Sequence, residues 1–131
     1  MRRRVLLDTH ALVWALTAPE RLGSNAQALL DEQDIDVLVS AVSAWEIATK
    51  VRLGKMPEAL PITHHFDQAL EDLRAVSLPL STAQGLLAGG LAWEHRDPFD
   101  RMLAAQAILE GVTLLTADAH LRQLPGLATV W

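Results

Sequence analysis

Cysteine is absent from the 131-residue chain, so neither a disulfide nor a thiolate metal site can form. A reducing cytoplasm is compatible with that composition. Long apolar runs are missing too: nothing approaches the roughly twenty residues that a membrane span requires. The opening "MRRRVLLDTH" starts basic, but an acid follows after only three apolar residues, which is not the pattern of a signal peptide. Lysine is scarce, two residues against nine arginines, and the formal net charge is -5. That charge excludes a protein held on nucleic acid by its overall field, but not a nucleic-acid enzyme. Carboxylates grouped around divalent cations would raise the formal negative charge while presenting a locally positive site. The arginine excess suits bidentate phosphate contacts.

Half of the residues are hydrophobic, which excludes intrinsic disorder, and the length suits one domain over residues 1–131 with a proper core. Five short apolar runs read as strands: 4–8, 36–40, 75–80, 112–116 and 127–131. They are nearly continuous in apolar residues, as parallel strands covered on both faces are. Helical patterns fall between them, at 9–17, 24–32, 41–53 ahead of Gly54, 64–73, 81–88 and 98–110 ahead of Gly111, with a short turn or helix from Asp118. This alternation predicts a three-layer α/β/α sandwich with right-handed crossovers.

In such a fold, ligands bind beyond the carboxyl ends of the strands, and four acids belong near that edge. Asp8 ends the first strand in "VLLDTH". Glu46 follows the second within "SAVSAWEIATK". Asp100 stands in the first turn of the helix opened by "HRDPFDR", and Asp118 lies past the fourth run in "LLTAD". Each has a plain alternative. Asp8, Asp97 and Asp118 can cap helices, and Glu46 can pair with Lys50 at i,i+4. Yet most of the Glu46 helix is apolar, so its carboxylate should face a packed surface with something cationic beside it. Like charges held together repel unless a proton or metal joins them, and oxygen-only ligands suit Mg²⁺ or Mn²⁺.

"LLDTHALVW", "SAVSAWEIA", "HRDPFDRMLAAQA" and "LLTAD" together resemble the motifs of PIN-domain ribonucleases, particularly VapC-type toxins of bacterial toxin–antitoxin pairs. The match runs in order over essentially the entire chain. The resemblance implies a Rossmann-like sandwich with a parallel sheet of four or five strands. It also implies metal-dependent hydrolysis of RNA, a cognate antitoxin and a homodimer. The family's acidic positions fall on Asp8, Glu46, Asp100 and Asp118, and its hydroxyl on Thr116. Within "DPFD" the pattern favours Asp100 as the site acid, leaving Asp97 as the helix cap or a supporting group.

Asp8, Asp100 and Asp118 are therefore expected to hold Mg²⁺ or Mn²⁺, with Glu46 completing the site or orienting the attacking water. Arg96 and Arg101 flank these acids and are candidates for gripping RNA phosphates; the alternative for Arg101 is an i,i+4 pair with Asp97. His10, His64, His65, His95 and His120 are expected at the surface or in packing, and Trp14 and Trp93 in packing rather than against bases. Two other classes fit less well. A haloacid-dehalogenase-type phosphatase should read Asp-x-Asp where this chain reads "DTH", and a receiver domain should carry a late lysine. A silent binding module would have little reason to keep the acids.

Overall fold

The computed structural model describes residues 2–131. Its sheet contains β1 (Arg3–Leu7), β2 (Ile35–Ser40), β3 (Ala75–Leu78), β4 (Thr113–Leu115) and β5 (Thr129–Val130), all parallel, in the order β3-β2-β1-β4-β5. The chain lays strands to one side of β1, then crosses to the other side for β4 and β5. The order therefore reverses between β1 and β4, where an open α/β sheet leaves its ligand crevice. All five expected strands form, somewhat shorter than the apolar runs.

Side chains alternate across the sheet, and both faces are covered. Val5, Leu7, Val37, Val39 and Leu115 pack under α1 (Thr9–Thr17), α2 (Ser24–Leu30) and α3 (Ala41–Arg52), meeting Ala11, Leu12, Leu29 and Ile47. Leu6, Leu38 and Leu114 point the other way, into Leu103, Ala104 and Ala107 of α7 (Pro98–Glu110) and Leu121 of α8 (Ala119–Gln123). Each such leucine, fully buried, contributes about 1.5–3 kcal/mol. The nearly continuous burial of β2 explains why its run lacks alternation, whereas the edge strand β3 exposes Val76 and Ser77. No helix among the described residues is long and apolar enough to cross a membrane.

The helix signals were accurate where a cap or stop is local. α1 matches the expected span, and α7 begins at Pro98 and stops at Gly111, which takes the left-handed conformation that glycine accepts without strain. The helix expected over 64–73 is two helices, α4 (Leu60–His64) and α5 (Phe66–Asp72). Pro61 starts the first of these early, and His65 leaves helical geometry between them. α6 (Thr82–Gly90) opens with a Ser81–Gln84 capping box. A buried amide, Gln106, bonds Ser40, Gln84 and the carbonyl of Pro79, fixing α7 against β2 and α6.

Candidate active site

The carboxyl ends of β1 and β4 feed directly into helix caps, and those caps are aspartates. Asp8 follows β1 and caps α1, its Oδ1 accepting from Ala11 N at 2.7 Å. Asp118 follows β4 and caps α8, its Oδ1 accepting from His120 N at 2.8 Å and Leu121 N at 3.2 Å. Asp97 caps α7, its Oδ1 accepting from Phe99 N at 2.9 Å and Asp100 N at 3.1 Å. The capping alternatives are therefore correct for all three residues. Capping also does not compete with a site, because it aims each carboxylate along the start of a helix at the crevice.

Asp8, Glu46, Asp100 and Asp118 line one cavity of about 110 Å³, joined by Asp97, Thr9, His10 and Lys50. Asp8 is buried, and the loss of water raises its pKa, with Glu46 adding to the effect. Bonds from the Thr116 hydroxyl and Ala11 N, and the charge of His10, pull the other way. Thr116 is fully buried behind the cavity and also takes the amide of Asp118 on Oγ1 at 3.0 Å, so one hydroxyl braces two acids. Burial pushes the Asp100 carboxyl up to about 6, opposed by its bond to His95 and reinforced by Asp97 and Asp118.

Glu46 is 3% exposed and fully engaged. Its Oε1 accepts from Thr9 Oγ1 at 2.5 Å, and Lys50 pairs with its Oε2. Thr9 Oγ1 also lies 3.1 Å from Ser43 Oγ. The expected cation is thus Lys50, one turn along the same helix, so the i,i+4 pair and the cavity-facing reading hold together. Glu46 enters the cavity already neutralised, whereas the aspartates do not.

His95 packs, as expected, but it also reaches a site acid. Its Nε2 lies 2.7 Å from Asp100 Oδ2, and its ring stacks on His120 with centroids 4.4 Å apart and planes 12° apart. His95, Asp97 and Asp100 bring one potential ligand atom each to within 4.8 Å of one another. Sequence reasoning passed over it because His95 lies before the helix, outside any helical periodicity; the signal was its fixed place two residues ahead of the cap. Thr9, Ser43 and Lys50 were legible only as neighbours of acids.

Arg101 requires a correction. It neither faces the cavity nor pairs its side chain with Asp97. Its guanidinium donates to the carbonyls of Ala88, Leu91, Trp93 and His95, at 2.9, 2.7, 2.7 and 3.0 Å, and approaches that of Gly89 at 3.5 Å. It cannot also hold a phosphate, since a guanidinium has five N–H donors. Arg96 is exposed. The tryptophans pack as expected: Trp14 against Trp131 at 5.7 Å beneath the Arg21 guanidinium, and Trp93 against His95 at 4.9 Å.

The donor set fits a hard divalent cation. Five carboxylates share the cavity, and its lysine is committed to Glu46. Several like charges in a desolvated cleft call for protons or a cation, and oxygen donors favour Mg²⁺ or Mn²⁺ over softer metals.

Comparison with known proteins agrees with this architecture. The PIN-domain family model matches residues 5–127. Ribonuclease VapC22 of Mycobacterium tuberculosis is 33% identical over 129 residues, covering 97% of this chain and 98% of that protein. Among solved structures, a toxin–antitoxin complex from Klebsiella pneumoniae superposes with a TM-score of 0.66 at 17% identity, covering 97% of this chain and 96% of that one. VapBC2 from Rickettsia felis, bound to a DNA fragment from its promoter, gives 0.64 at 17% identity over 97% of each chain. FitAcB from Neisseria gonorrhoeae gives 0.60 at 20% identity over 95% of each. These structural likenesses show the same three-layer fold, and with the sequence matches they settle the family: the chain belongs to the PIN-domain proteins.

Proposed function

We propose that the chain is a single PIN domain acting as a metal-dependent endoribonuclease, the toxin of a toxin–antitoxin pair. One observation carries this reading. Four acids from four separate segments line one cavity where the strand order reverses, and among the described residues only Glu46 of the four pairs with a lysine or arginine. The 33% identity to a protein named a ribonuclease supports the chemistry, and the toxin–antitoxin complexes of the same fold support the partner.

Asp8, Asp100 and Asp118 would hold Mg²⁺ or Mn²⁺, with Asp97 and Thr116 supporting them. A divalent cation there supplies Lewis acidity, making water more acidic and offsetting charge on a phosphodiester under attack. The remaining work belongs to the protein. The three caps fix where the carboxylates point. Thr9 and Lys50 fix the Glu46 carboxyl group in place, where it would orient the water that attacks phosphorus. Arg96, exposed beside the site, offers bidentate contacts to the RNA backbone. An antitoxin would neutralise the enzyme by setting a cationic side chain among the same acids. A second copy would dock on the outer face of α3, where Ala41, Trp45 and Ala48 are exposed and Trp45 meets Phe99 edge-on at 4.9 Å.

The test is cleavage of a panel of structured and single-stranded RNAs with Mg²⁺, with Mn²⁺ and with chelator. Cleavage by the wild type with either ion, lost in chelator and in Asp8→Asn, is the expected result. A wild type that binds metal but cuts no RNA would leave a binding module instead.

A further inference from the structure

We propose that Arg101 is a positioning residue for the carboxylate site: it ties down the chain between α6 and α7 so that His95 is held against Asp100. This rests on the nuclease reading above, but its geometry is independent of any substrate.

The segment it serves has no regular structure of its own. α6 ends at Gly90, and α7 does not begin until Asp97 caps it. The last carbonyls of a helix have no partner within it, and those of the following loop have no ladder to join. Arg101 supplies both sets. Nε donates to Ala88 O, Nη1 to Trp93 O and His95 O, and Nη2 to Leu91 O with Gly89 O at the limit of bonding. Five N–H groups thus face five carbonyls, and the rigid fork of a guanidinium is the only side chain able to do this.

The consequence for the site follows from where Arg101 stands. It is the next residue after Asp100, so one turn of α7 sends a carboxylate into the cavity and a guanidinium into the loop. The loop returns to the same turn through His95, whose carbonyl is bound by Arg101 and whose Nε2 meets Asp100 Oδ2. The circuit from Asp100 through Arg101 and His95 back to Asp100 is closed. Trp93 and His120 pack against the His95 ring and complete its seat. With the fork removed, the backbone of His95 loses its tether and Asp100 loses the group that orients it.

The experiment compares full-length wild type with Arg101→Lys, Arg101→Met, His95→Gln and the Arg101→Met/His95→Gln double variant. Lysine keeps the charge but offers three donors on a point charge. Both Arg101 variants should lower kcat about 10- to 100-fold, as expected for a displaced active-site group. KM should change by less than about twofold, because no substrate contact is lost. Mn²⁺ affinity by calorimetry should fall about 10- to 100-fold, the usual effect of losing a group that orients a ligand. The His95 ring signals in nitrogen-15 spectra should move to those of a solvated histidine. The double variant should be no worse than Arg101→Met, since the two residues act in series.

A raised KM with kcat and Mn²⁺ affinity unchanged would overturn the proposal in favour of phosphate binding. Multiplying effects in the double variant, or unmoved His95 signals, would overturn it as well. A measurement on the wild type guards against variants that fail to fold. The Arg101 N–H signals should be slow to exchange and unmoved by inorganic phosphate or an uncleavable 2′-deoxy oligonucleotide. A shift with either ligand would also overturn the proposal. If the wild type cuts no RNA, the nuclease reading fails, while the Mn²⁺ and His95 results still decide the role of Arg101.

Discussion

The two ends of the sheet carry cavities of opposite character. At the amino end, a wide groove of about 740 Å³ opens between α2, the start of β2 and the end of α5. At the carboxyl end lies the cavity of about 110 Å³ that holds the acids. By size alone the groove would be the site. Its charges, however, sit on an exposed rim: Arg2 pairs with Asp36 at 2.7 Å, and Asp72 accepts from Gln68. Exposed pairs of that kind contribute about 0–1 kcal/mol, and the acids left over in the groove, such as Asp31 and Glu32, are exposed and stay solvated. In the small cavity the carboxylates are drawn from separate elements, partly stripped of water and in excess of their cations. What separates the two ends is converging charge stripped of water; asparagine would cap the helices about as well as aspartate, so capping alone does not call for the charge.

The first way to break that contrast is to neutralise single acids at both ends. Asp8→Asn and Asp100→Asn should each lower RNA cleavage by at least about 100-fold, on the scale of losing one electrostatic group from an active site. Both should keep the wild-type circular dichroism, because Asn still caps α1 and still accepts from His95. Asp36→Asn in the groove rim should leave cleavage within about twofold and cost no more than about 1 kcal/mol. Equal losses at both ends, read as initial rates with Mn²⁺, would remove the distinction.

Much of this was legible in the chain, and the boundary of legibility has a physical form. Asp97, Pro98 and Gly111 act on their immediate neighbours, so α7 could be placed to the residue. The four acids could be placed at one edge because parallel strands all end on the same side. The strand order could not be read, since pairing is non-local. His65, which breaks the expected 64–73 helix, carries no composition signal of a breaker. Arg101 was misread for a related reason: its partners are backbone carbonyls up to thirteen residues away, which any sequence could supply. Glu46 stands between these cases. Its neighbour Lys50 was visible at i,i+4, but Thr9 comes from another helix.

A second contrast concerns stability without metal, and its sign follows from protonation. Asp100 has a folded pKa of about 6 against 3.8 for the ordinary group, so the folded chain holds the proton more tightly. The stability associated with that proton is complete below about 3.8 and is lost as pH rises through about 6. In chelator, Asp100→Asn should therefore melt close to the wild type near pH 4. It should be the more stable of the two above pH 7, by about 0.5–2 kcal/mol, as the cost of burying its charge and then its repulsion with Asp97 and Asp118 are relieved. Saturating Mn²⁺ should reverse the order, because a ligand present at a hundred times its Kd stabilises the wild type by about 2.7 kcal/mol and the variant less. Thermal melts across pH in both conditions supply the answer; a pH-independent difference would detach Asp100 from the charge cluster.

The smallest effect separates two aspartates three residues apart. Asp97 and Asp100 share one turn and one cavity, but Asp97 spends Oδ1 on two backbone amides while Asp100 makes no cap. Asparagine caps about as well as aspartate, so Asp97→Asn should change stability by only a few tenths of a kcal/mol, whereas Asp97→Ala should cost about 1 kcal/mol. If capping is its main duty, Asp97→Asn should also retain cleavage within about tenfold of wild type, well above Asp100→Asn, in line with a group that supports a ligand. Paired melts and cleavage rates for the three variants give a clear reading. If Asp97→Asn is as inactive as Asp100→Asn while staying as stable as wild type, then Asp97 spends its second oxygen on the metal, and the cap and the site are one residue.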